Sequence, residues 1–428
     1  MRSKLIIVTT IAASLLFVPF VASADQVQEQ LRLMEQRMAE MEDRLQATSV
    51  ELQSAKATVD QQQGLLVNAG LIDEGDRGIR SSVGDFFNQV DVSGVAAASY
   101  NHRIIQPDTT MNDDFFKHPN ANTFQVDQVW LTIDKAPTEE SRGGFHAEYI
   151  AGTSADAQGA ATDDEPFLYT AYVSYLAPIG SGIQVDMGKL ATPLGAEVIQ
   201  TNMNFFVTQG LVFGLQPVTH TGISFSTEVT DGIGVIFGVV NGLYSDTAVE
   251  FDDDKAYYGQ VSFSADSFGL NVGAIWGDDN TTSCVGATMG KTECETSVVD
   301  VVLTVDPTDN LSLWANFDWK HTNGTDTESN FNGDAFGIAV AGRLAIIEGM
   351  GIATRLEYLA TEDSLNGTMR DAETMSLTGT LDKTLAEDLV GRLELRWDTI
   401  LDDNNNGATF ADMKNDQLVV LAQMYYAF

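Results

Sequence analysis

The last stretch of the chain restricts the possible folds more than any other. From Leu418 every second residue is apolar or aromatic, and the set ends on the final residue, Phe428. A period of two places these side chains on one face of a β-strand. At a bare terminus in water, that face and the open strand edge would both promote aggregation. A closed barrel in a membrane gives the edge a partner strand and the face a lipid solvent. The alternative is the buried last strand of a soluble β-sandwich.

This strand resembles the C-terminal strand of bacterial outer-membrane barrels, which ends in phenylalanine. The resemblance implies that the barrel-assembly machinery recognises the chain, with Tyr426 and Phe428 as the assembly signal.

The start of the chain predicts export. Arg2 and Lys4 precede an apolar run over residues 5–21, and Ala22-Ser23-Ala24 has the form of a cleavage site. We therefore expect residues 1–24 to be a signal peptide. The rest of the sequence has no uncharged apolar run near 18 residues, which argues against helical membrane spans. The two ends of the chain together predict the outer membrane of a diderm bacterium.

The composition fits a barrel and excludes one class of partner. Mean hydropathy is -0.06, as expected where lipid-facing and lumen-facing residues alternate. The formal net charge of -38 makes nucleic acid an improbable partner. Such acidity is compatible with divalent cations, cationic solutes or a salty habitat.

Residues 25–67 predict a coiled coil in the periplasm. One core position of the heptad is occupied by Leu31, Met38, Leu45, Leu52, Val59 and Leu66. A helix with such a narrow apolar stripe needs a partner, so we expect self-association, most simply a trimer. The alternative is a solitary periplasmic helix. Residues 68–87, rich in Gly, Asp and Arg, predict a linker.

Residues 88–428 predict an all-β transmembrane barrel, antiparallel and up-and-down, of about 16 strands. We place the strands at 88–100, 122–136, 143–152, 167–177, 182–190, 219–229, 232–241, 255–265, 268–277, 296–306, 310–320, 334–345, 349–361, 372–382, 387–398 and 416–428. Each has about 9–15 residues, close to what a tilted membrane strand needs. Long and short connections alternate, with long ones at 321–333 and 362–371 among others. An even count places both termini in the periplasm, and 14 or 18 strands would also fit these boundaries.

The longest connection, residues 191–218, is unusually apolar for a loop in water. Its large apolar residues include Leu194, Val198, Phe205, Phe206, Val207, Leu211, Val212 and Phe213. Because exposing such a surface is unfavourable, we predict that the loop folds into the barrel. The alternative is a surface loop packed against a neighbouring subunit.

Several motifs near this loop resemble the OmpL-like β-barrel porin family. They are FQVDQVWLTIDK at 124–135, MGKL at 187–190, TPLGAE at 192–197, LVFG at 211–214 and THTG at 219–222. The resemblance covers residues 85–428 and implies an outer-membrane porin fold with passive transport. Porins are commonly trimeric. No residue role is carried over from the family.

Six charged residues are candidates to line a pore. Four arginines occupy the polar face of neighbouring strands: Arg343, Arg355, Arg392 and Arg396. Glu197 lies in the inserted loop and Lys189 at its root. We predict a field across the pore between the basic wall and Glu197. The alternative is simple ion pairing of the arginines with Glu357 and Glu394.

Cys284 and Cys294 lie in one predicted external loop of an exported protein. We expect a disulfide that closes the loop. The alternative is two free thiols.

Asp402, Asn404 and Asn406, followed by Gly407, match the start of a calcium loop. Met413 stands where a bidentate Glu is expected, and no helices flank the loop. Ca²⁺ at external acidic loops is thus the one candidate cofactor, and a solvated loop is the alternative.

The sequence predicts no catalytic activity. The five histidines are scattered without ligand spacing, and no local signature of a nucleophile–base pair is present.

We therefore expect a diffusion porin embedded in outer-membrane lipid and lipopolysaccharide. Two other functions fit the sequence: a structural tether from the outer membrane to the cell wall, with the barrel as anchor, or a substrate-specific channel.

Overall fold

The computed structural model describes residues 89–105, 118, 121–158, 167–243, 255–278, 293–325, 330–365, 368–402 and 416–428. The chain divides into two units, residues 1–86 and 87–428, and every described residue belongs to the second. The predicted signal peptide, coiled coil and linker lie outside the described residues, as do Cys284, Asn404 and Asn406.

Sixteen β-strands make up the described unit. They are β1 (Asp91–Arg103), β2 (Phe124–Lys135), β3 (Gly143–Ala151), β4 (Phe167–Ala177), β5 (Ile183–Ala191), β6 (Thr219–Thr230), β7 (Ile233–Val240), β8 (Ala256–Ala265), β9 (Phe268–Asp278), β10 (Glu293–Thr308), β11 (Leu311–Thr325), β12 (Asn330–Ile347), β13 (Met350–Leu365), β14 (Thr368–Ala386), β15 (Leu389–Asp402) and β16 (Asp416–Ala427). One short helix, α1 (Thr153–Ala157), follows β3, and 3₁₀ turns at Thr201–Met203 and Val212–Leu215 lie between β5 and β6.

Each strand pairs antiparallel with its neighbours in the chain, and β1 pairs with β16, so the sheet closes into a barrel. The predicted strand number and up-and-down order are confirmed. We call the end with the short β2–β3, β4–β5 and β6–β7 connections the turn end, and the opposite end the loop end. No helix among the described residues is long and apolar enough to cross a membrane.

Strands β10 to β15 are longer than predicted, with 14 to 19 residues each. The predicted long connections at 321–333 and 362–371 are therefore mostly strand. The ladder continues beyond the alternating segments, with Asn323 opposite Asn332 and Ser364 opposite Met369. Antiparallel hydrogen bonds need no apolar side chains, so a hairpin extends past the apolar band where the alternation ends. Cys294, predicted to lie in a loop, accordingly lies in β10.

The outward face is apolar and the inward face is mostly polar. On β15, Leu393 and Leu395 are exposed on the outside, while Arg392, Glu394 and Arg396 are buried inside. On β16, Met424, Tyr426 and Phe428 are exposed on the outer face. The alternation predicted for both strands is confirmed, and a lipid solvent satisfies the outer face.

The terminal residue closes the barrel against β1. The N–H of Gly94 donates to the Phe428 carbonyl at 2.9 Å, and the N–H of Phe428 donates to the Gly94 carbonyl at 3.0 Å. A Cβ added at Gly94 would lie 2.6 Å from Cζ of Phe428. The Phe428 ring therefore packs directly over Gly94, where a larger residue would not fit.

Substituting Gly94→Val should weaken barrel closure, because the new side chain collides with the terminal ring. Overpacking of this kind typically costs about 1–3 kcal/mol. Urea unfolding in detergent, followed by the heat-dependent shift in gel mobility, would measure the loss. Ala96→Val, at the next outward position of β1, is the matched control and should unfold like the wild type. Equal midpoints for both variants would contradict the proposed closure.

Candidate functional site

Residues 192–218, which we call the inserted loop, lie inside the barrel between β5 and β6. Their apolar side chains pack on inward-facing residues from several parts of the wall. Phe206 and Val212 contact Trp314 and Ala341, and Val207 contacts Val419 and Leu421 in a separate cluster. The apolar content of the loop predicted this burial, and the structure confirms that the loop enters the lumen.

Strand β15 holds the tip of the loop through a buried carboxylate. Glu394 accepts the N–H groups of Val207 and Thr208 at 2.6 and 3.1 Å. It also accepts the hydroxyls of Thr208 and Thr380, both at 2.7 Å. Four donors thus satisfy one carboxylate that is shielded from water.

The arginines on either side of Glu394 bind the carbonyls of the same segment. Arg392 donates to the carbonyls of Thr201, Asn204 and Phe206 at 3.0, 2.7 and 3.2 Å. Arg396 donates to the Gln209 carbonyl at 2.6 Å and pairs with Asp398 at 2.9 Å. Strand β15 therefore supplies both donors and acceptors to a buried backbone.

Strand β13 holds the loop through an ion-pair network. Arg355 contacts Glu197 of the loop at 2.5 Å and Glu357 of its own strand at 2.9 Å. Glu197 and Glu357 accept the N–H groups of Gly210 and Val212, respectively. Burial raises the pKa of the Glu197 carboxyl, and the positive charge of Arg355 opposes that shift. The charged form of Glu197 therefore depends on this ion pair.

Amide side chains fix the remaining parts of the loop. Gln128 of β2 donates to the Ile199 carbonyl and accepts the N–H of Thr201 at 2.6 and 3.0 Å. Asn316 of β11 accepts the N–H of Ala196 at 3.2 Å, and Gln260 of β8 donates to the Pro193 carbonyl. The loop is thus attached to β2, β8, β11, β13 and β15.

The structure separates the six predicted pore-lining residues. Arg355, Arg392, Arg396 and Glu197 are buried at the contact between loop and wall. Glu197 touches Arg355, so the two charges do not face each other across a gap as predicted.

The other two predicted residues lie apart from the loop. Arg343 faces the lumen near the turn end and pairs with Asp382 at 2.5 Å. Lys189 is opposite Ala171 on the outward face, beside the exposed Met187. Its amine donates to the Leu168 carbonyl and lies 4.3 Å from the centre of the Phe167 ring. Lys189 is therefore not a lumen residue.

Three partly exposed carboxylates on β2 to β5 face the lumen, and we call them the acidic wall: Asp134, Glu148 and Asp186. They were not predicted from the sequence. Asp134 and Glu148 contact the two ring nitrogens of His146 at 2.8 and 3.5 Å. The His146 ring stacks on Tyr172, and Asp186 accepts the Ser174 hydroxyl at 2.6 Å. The alternation of these residues with apolar neighbours was the available sequence signal.

A cavity of about 420 Å³ adjoins this wall at the turn end of β5 to β8. Its lining includes Gln184, Ser226, Glu228 and Ser262. Small polar side chains leave this part of the lumen open to water, in contrast to the half filled by the inserted loop.

Ser99, His118 and Asp127 lie together without the geometry of a catalytic triad. The Ser99 hydroxyl donates to Asp127 at 2.7 Å, and the His118 ring is 3.4 Å away. All three side chains are buried, and the hydroxyl donates to the carboxylate instead of to the imidazole that a triad would use as its base. Within the described ranges, no group of three or more His, Cys, Asp or Glu could hold a metal ion.

Comparisons with known proteins agree with this architecture. A family model described as "Putative beta-barrel porin-2, OmpL-like" matches residues 89–428. No curated protein matches the chain.

Several solved outer-membrane proteins share the fold at low sequence identity. The trimer form of OmpT from Vibrio cholerae is 14% identical, with a TM-score of 0.55 over 79% of this chain and 99% of that one. An anion-selective porin from Comamonas acidovorans is 12% identical, with a TM-score of 0.55 over the same shares. The channel DcaP of Acinetobacter baumannii is 11% identical, with a TM-score of 0.52 over 79% and 97%.

Substituting Glu394→Ala should loosen the inserted loop, because the buried N–H groups of Val207 and Thr208 lose their acceptor. Each such unsatisfied group costs about 1–3 kcal/mol. Hydrogen–deuterium exchange of residues 199–210 should therefore accelerate. Glu387→Ala, in the exposed β14–β15 turn, is the control and should leave exchange unchanged. Wild-type protection in the Glu394 variant would show that the other anchors suffice.

Proposed function

The chain belongs to the OmpL-like beta-barrel porin-2 family, and we propose that it is an outer-membrane porin for passive diffusion of small hydrophilic solutes or ions. The mechanism has no catalytic step. Pore width and the charge of the lining would decide which solutes pass.

The inserted loop is the observation that carries this proposal. A barrel that only anchored the chain would need no segment fastened across its lumen by three buried arginines and two buried glutamates. These residues are Arg355, Glu357, Arg392, Glu394 and Arg396. A loop fixed in this way narrows the lumen at a defined place and leaves a cavity of about 420 Å³ at the turn end of β5 to β8.

The distribution of exposed charge supports a preference for cations. Asp134, Glu148, Asp186 and Glu228 are at least partly exposed on the lumen side. The buried arginines, by contrast, are occupied by loop carbonyls and carboxylates. Charges within a Debye length of about 8 Å set the local ion concentration, so cations would accumulate along the acidic wall.

The proposal also includes the oligomeric state and the location of the chain. We infer a homotrimer in outer-membrane lipid and lipopolysaccharide, with the coiled coil of residues 25–67 in the periplasm. A trimeric neighbour of the same fold and the heptad pattern support this inference. The exposed Tyr426 and Phe428 would serve the barrel-assembly machinery.

Conductance in planar bilayers tests the channel and the role of the loop. The purified full-length protein should form discrete open channels, and deletion of residues 200–210 should raise their conductance because the lumen widens. Glu394→Ala, which keeps the chain length, should raise it in the same direction. A barrel that folds but passes no current would refute the porin function. A deletion variant with unchanged current would place the narrowest point elsewhere.

Reversal potentials in a salt gradient test the charge preference. The wild type should favour cations at low salt, and Asp134→Asn combined with Glu148→Gln and Asp186→Asn should reduce this preference, since the acidic wall loses its charge. Asp334→Asn changes a carboxylate on the outward face of β12 and should leave the potential unchanged. Equal potentials for wild type and triple variant would exclude the acidic wall as the selective element.

A further inference from the structure

Two aspartates beneath the inserted loop lie side by side and form no ion pair with a described basic residue. Asp300 of β10 and Asp318 of β11 are directly opposite each other, and both side chains are fully buried. Opposed residues of an antiparallel pair have Cβ atoms about 4.5–5.5 Å apart, and like charges at that separation destabilise the sheet. Burial makes two carboxylate charges more costly still.

The cross-strand neighbours of the pair on β9 and β12 are glycines. Gly273 of β9 is opposite Asp300 and Gly337 of β12 is opposite Asp318. Lys320 follows two residues along β11, yet the ion pairs between described side chains join neither aspartate to it or to any other base. From the loop, the titratable residue Glu197 is engaged by Arg355. No ion pair between described side chains therefore involves either aspartate.

Amide donors satisfy only part of the pair. Asn316 donates to Oδ2 of Asp300 at 2.7 Å, and Gln216 donates to Oδ2 of Asp318 at 2.6 Å. Oδ1 of Asp300 is buried and accepts no hydrogen bond from a described donor, and Oδ1 of Asp318 has only a long contact of 3.4 Å with Asn316. The two carboxyls nonetheless adjoin each other, because their residues are directly opposite in the ladder and the same Asn316 amide nitrogen lies 2.7 Å from Asp300 and 3.4 Å from Asp318. A proton between these oxygens would complete the arrangement.

The same amides connect the pair to the inserted loop. Oδ1 of Asn316 accepts the N–H of Ala196 at 3.2 Å and the side-chain amide of Gln216 at 3.0 Å. Ala196 and Gln216 lie near the two ends of the loop. The charge state of the aspartates therefore acts directly on both ends of the segment that narrows the lumen.

We propose that the carboxyls of Asp300 and Asp318 share one proton, and that this shared proton is a latch holding both ends of the inserted loop against β11. When the proton leaves to solvent, two adjacent carboxylates remain in a dry site. Water must then enter to solvate them, and it enters by separating Gln216 and Ala196 from the wall. Loss of the proton at alkaline pH thus loosens the loop and widens the passage.

The sign of the effect follows from proton binding. The folded, latched state keeps a proton that an exposed aspartate would release near pH 4. The stability of the latched state must therefore fall as pH rises through the range in which the pair loses its proton. Acidification below neutral pH leaves the latch closed.

The inference rests on the proposed channel, and single-channel conductance from pH 6 to pH 10 tests it. Measurement in 1 M KCl shortens the Debye length to about 3 Å and suppresses the effect of other wall charges. Wild-type conductance should rise with pH. Asp318→Asn keeps a donor toward Asp300 but has no proton to lose, so its conductance should stay low and independent of pH. Asp300→Asn should behave in the same way, so the test can still be made if one of the two variants does not fold.

Asp334→Asn is the matched control, because Asp334 is a carboxylate on the outward face of β12, beside His321 and away from the latch. This variant should keep the wild-type rise. A wild-type conductance that does not change with pH, or a rise that persists in Asp318→Asn, would overturn the latch while leaving the porin function intact. Reversal of the alkaline rise by Ca²⁺ would identify the pair as a metal site and would also overturn the shared proton.

Hydrogen–deuterium exchange of residues 192–218 gives an answer that requires no current. At each alkaline pH, where both proteins have the same intrinsic exchange rate, the wild type should exchange faster than Asp318→Asn. Equal exchange of the two proteins at every pH would overturn the latch, whether or not the barrel conducts. If the barrel does not conduct but the exchange rates differ, only the porin function is refuted.

Discussion

The structure depends on satisfying the backbone of a loop buried inside a barrel. A buried N–H or carbonyl without a partner is costly, and a loop has no ladder of its own to supply one. Strand β15 supplies these partners through side chains of alternating charge. Arg392 and Arg396 donate to loop carbonyls, and Glu394 accepts loop N–H groups. Because period two directs all three side chains inward, one strand provides a complementary surface to the loop.

Much of this fold could be predicted from the sequence because one physical signal is repeated in every strand. Alternation with period two gave the strands, their inward and outward faces and the final strand at Phe428. The burial of residues 192–218 followed from their apolar content. The extent of β10 to β15 could not be predicted in this way, because pairs such as Asn323 and Asn332 hydrogen-bond through backbone atoms and leave no pattern in the side chains.

The candidate site was harder to predict, because it depends on which lumen residues the loop covers. The arginines of β13 and β15 have the inward parity expected of pore residues, yet Arg355, Arg392 and Arg396 are buried beneath the loop. Lys189 differs for another reason: one step in register separates the two faces, and its pairing with Ala171 places it outside. Asp134 lies in the 124–135 motif, which carried no residue role, and Glu148 lies in no motif; only the folded barrel brings them to the two sides of His146.

The negative charge of the lumen lining follows from this use of the basic residues. A chain with 23 Lys and Arg against 61 Asp and Glu has few positive charges to place. Three of them bind the loop and are removed from water, and Arg343 is paired with Asp382. The carboxylates of the acidic wall remain partly exposed, with His146 as their neighbour. The requirement to fasten the loop therefore makes the passage more acidic, since the groups that could neutralise its wall are committed to the backbone of the constriction.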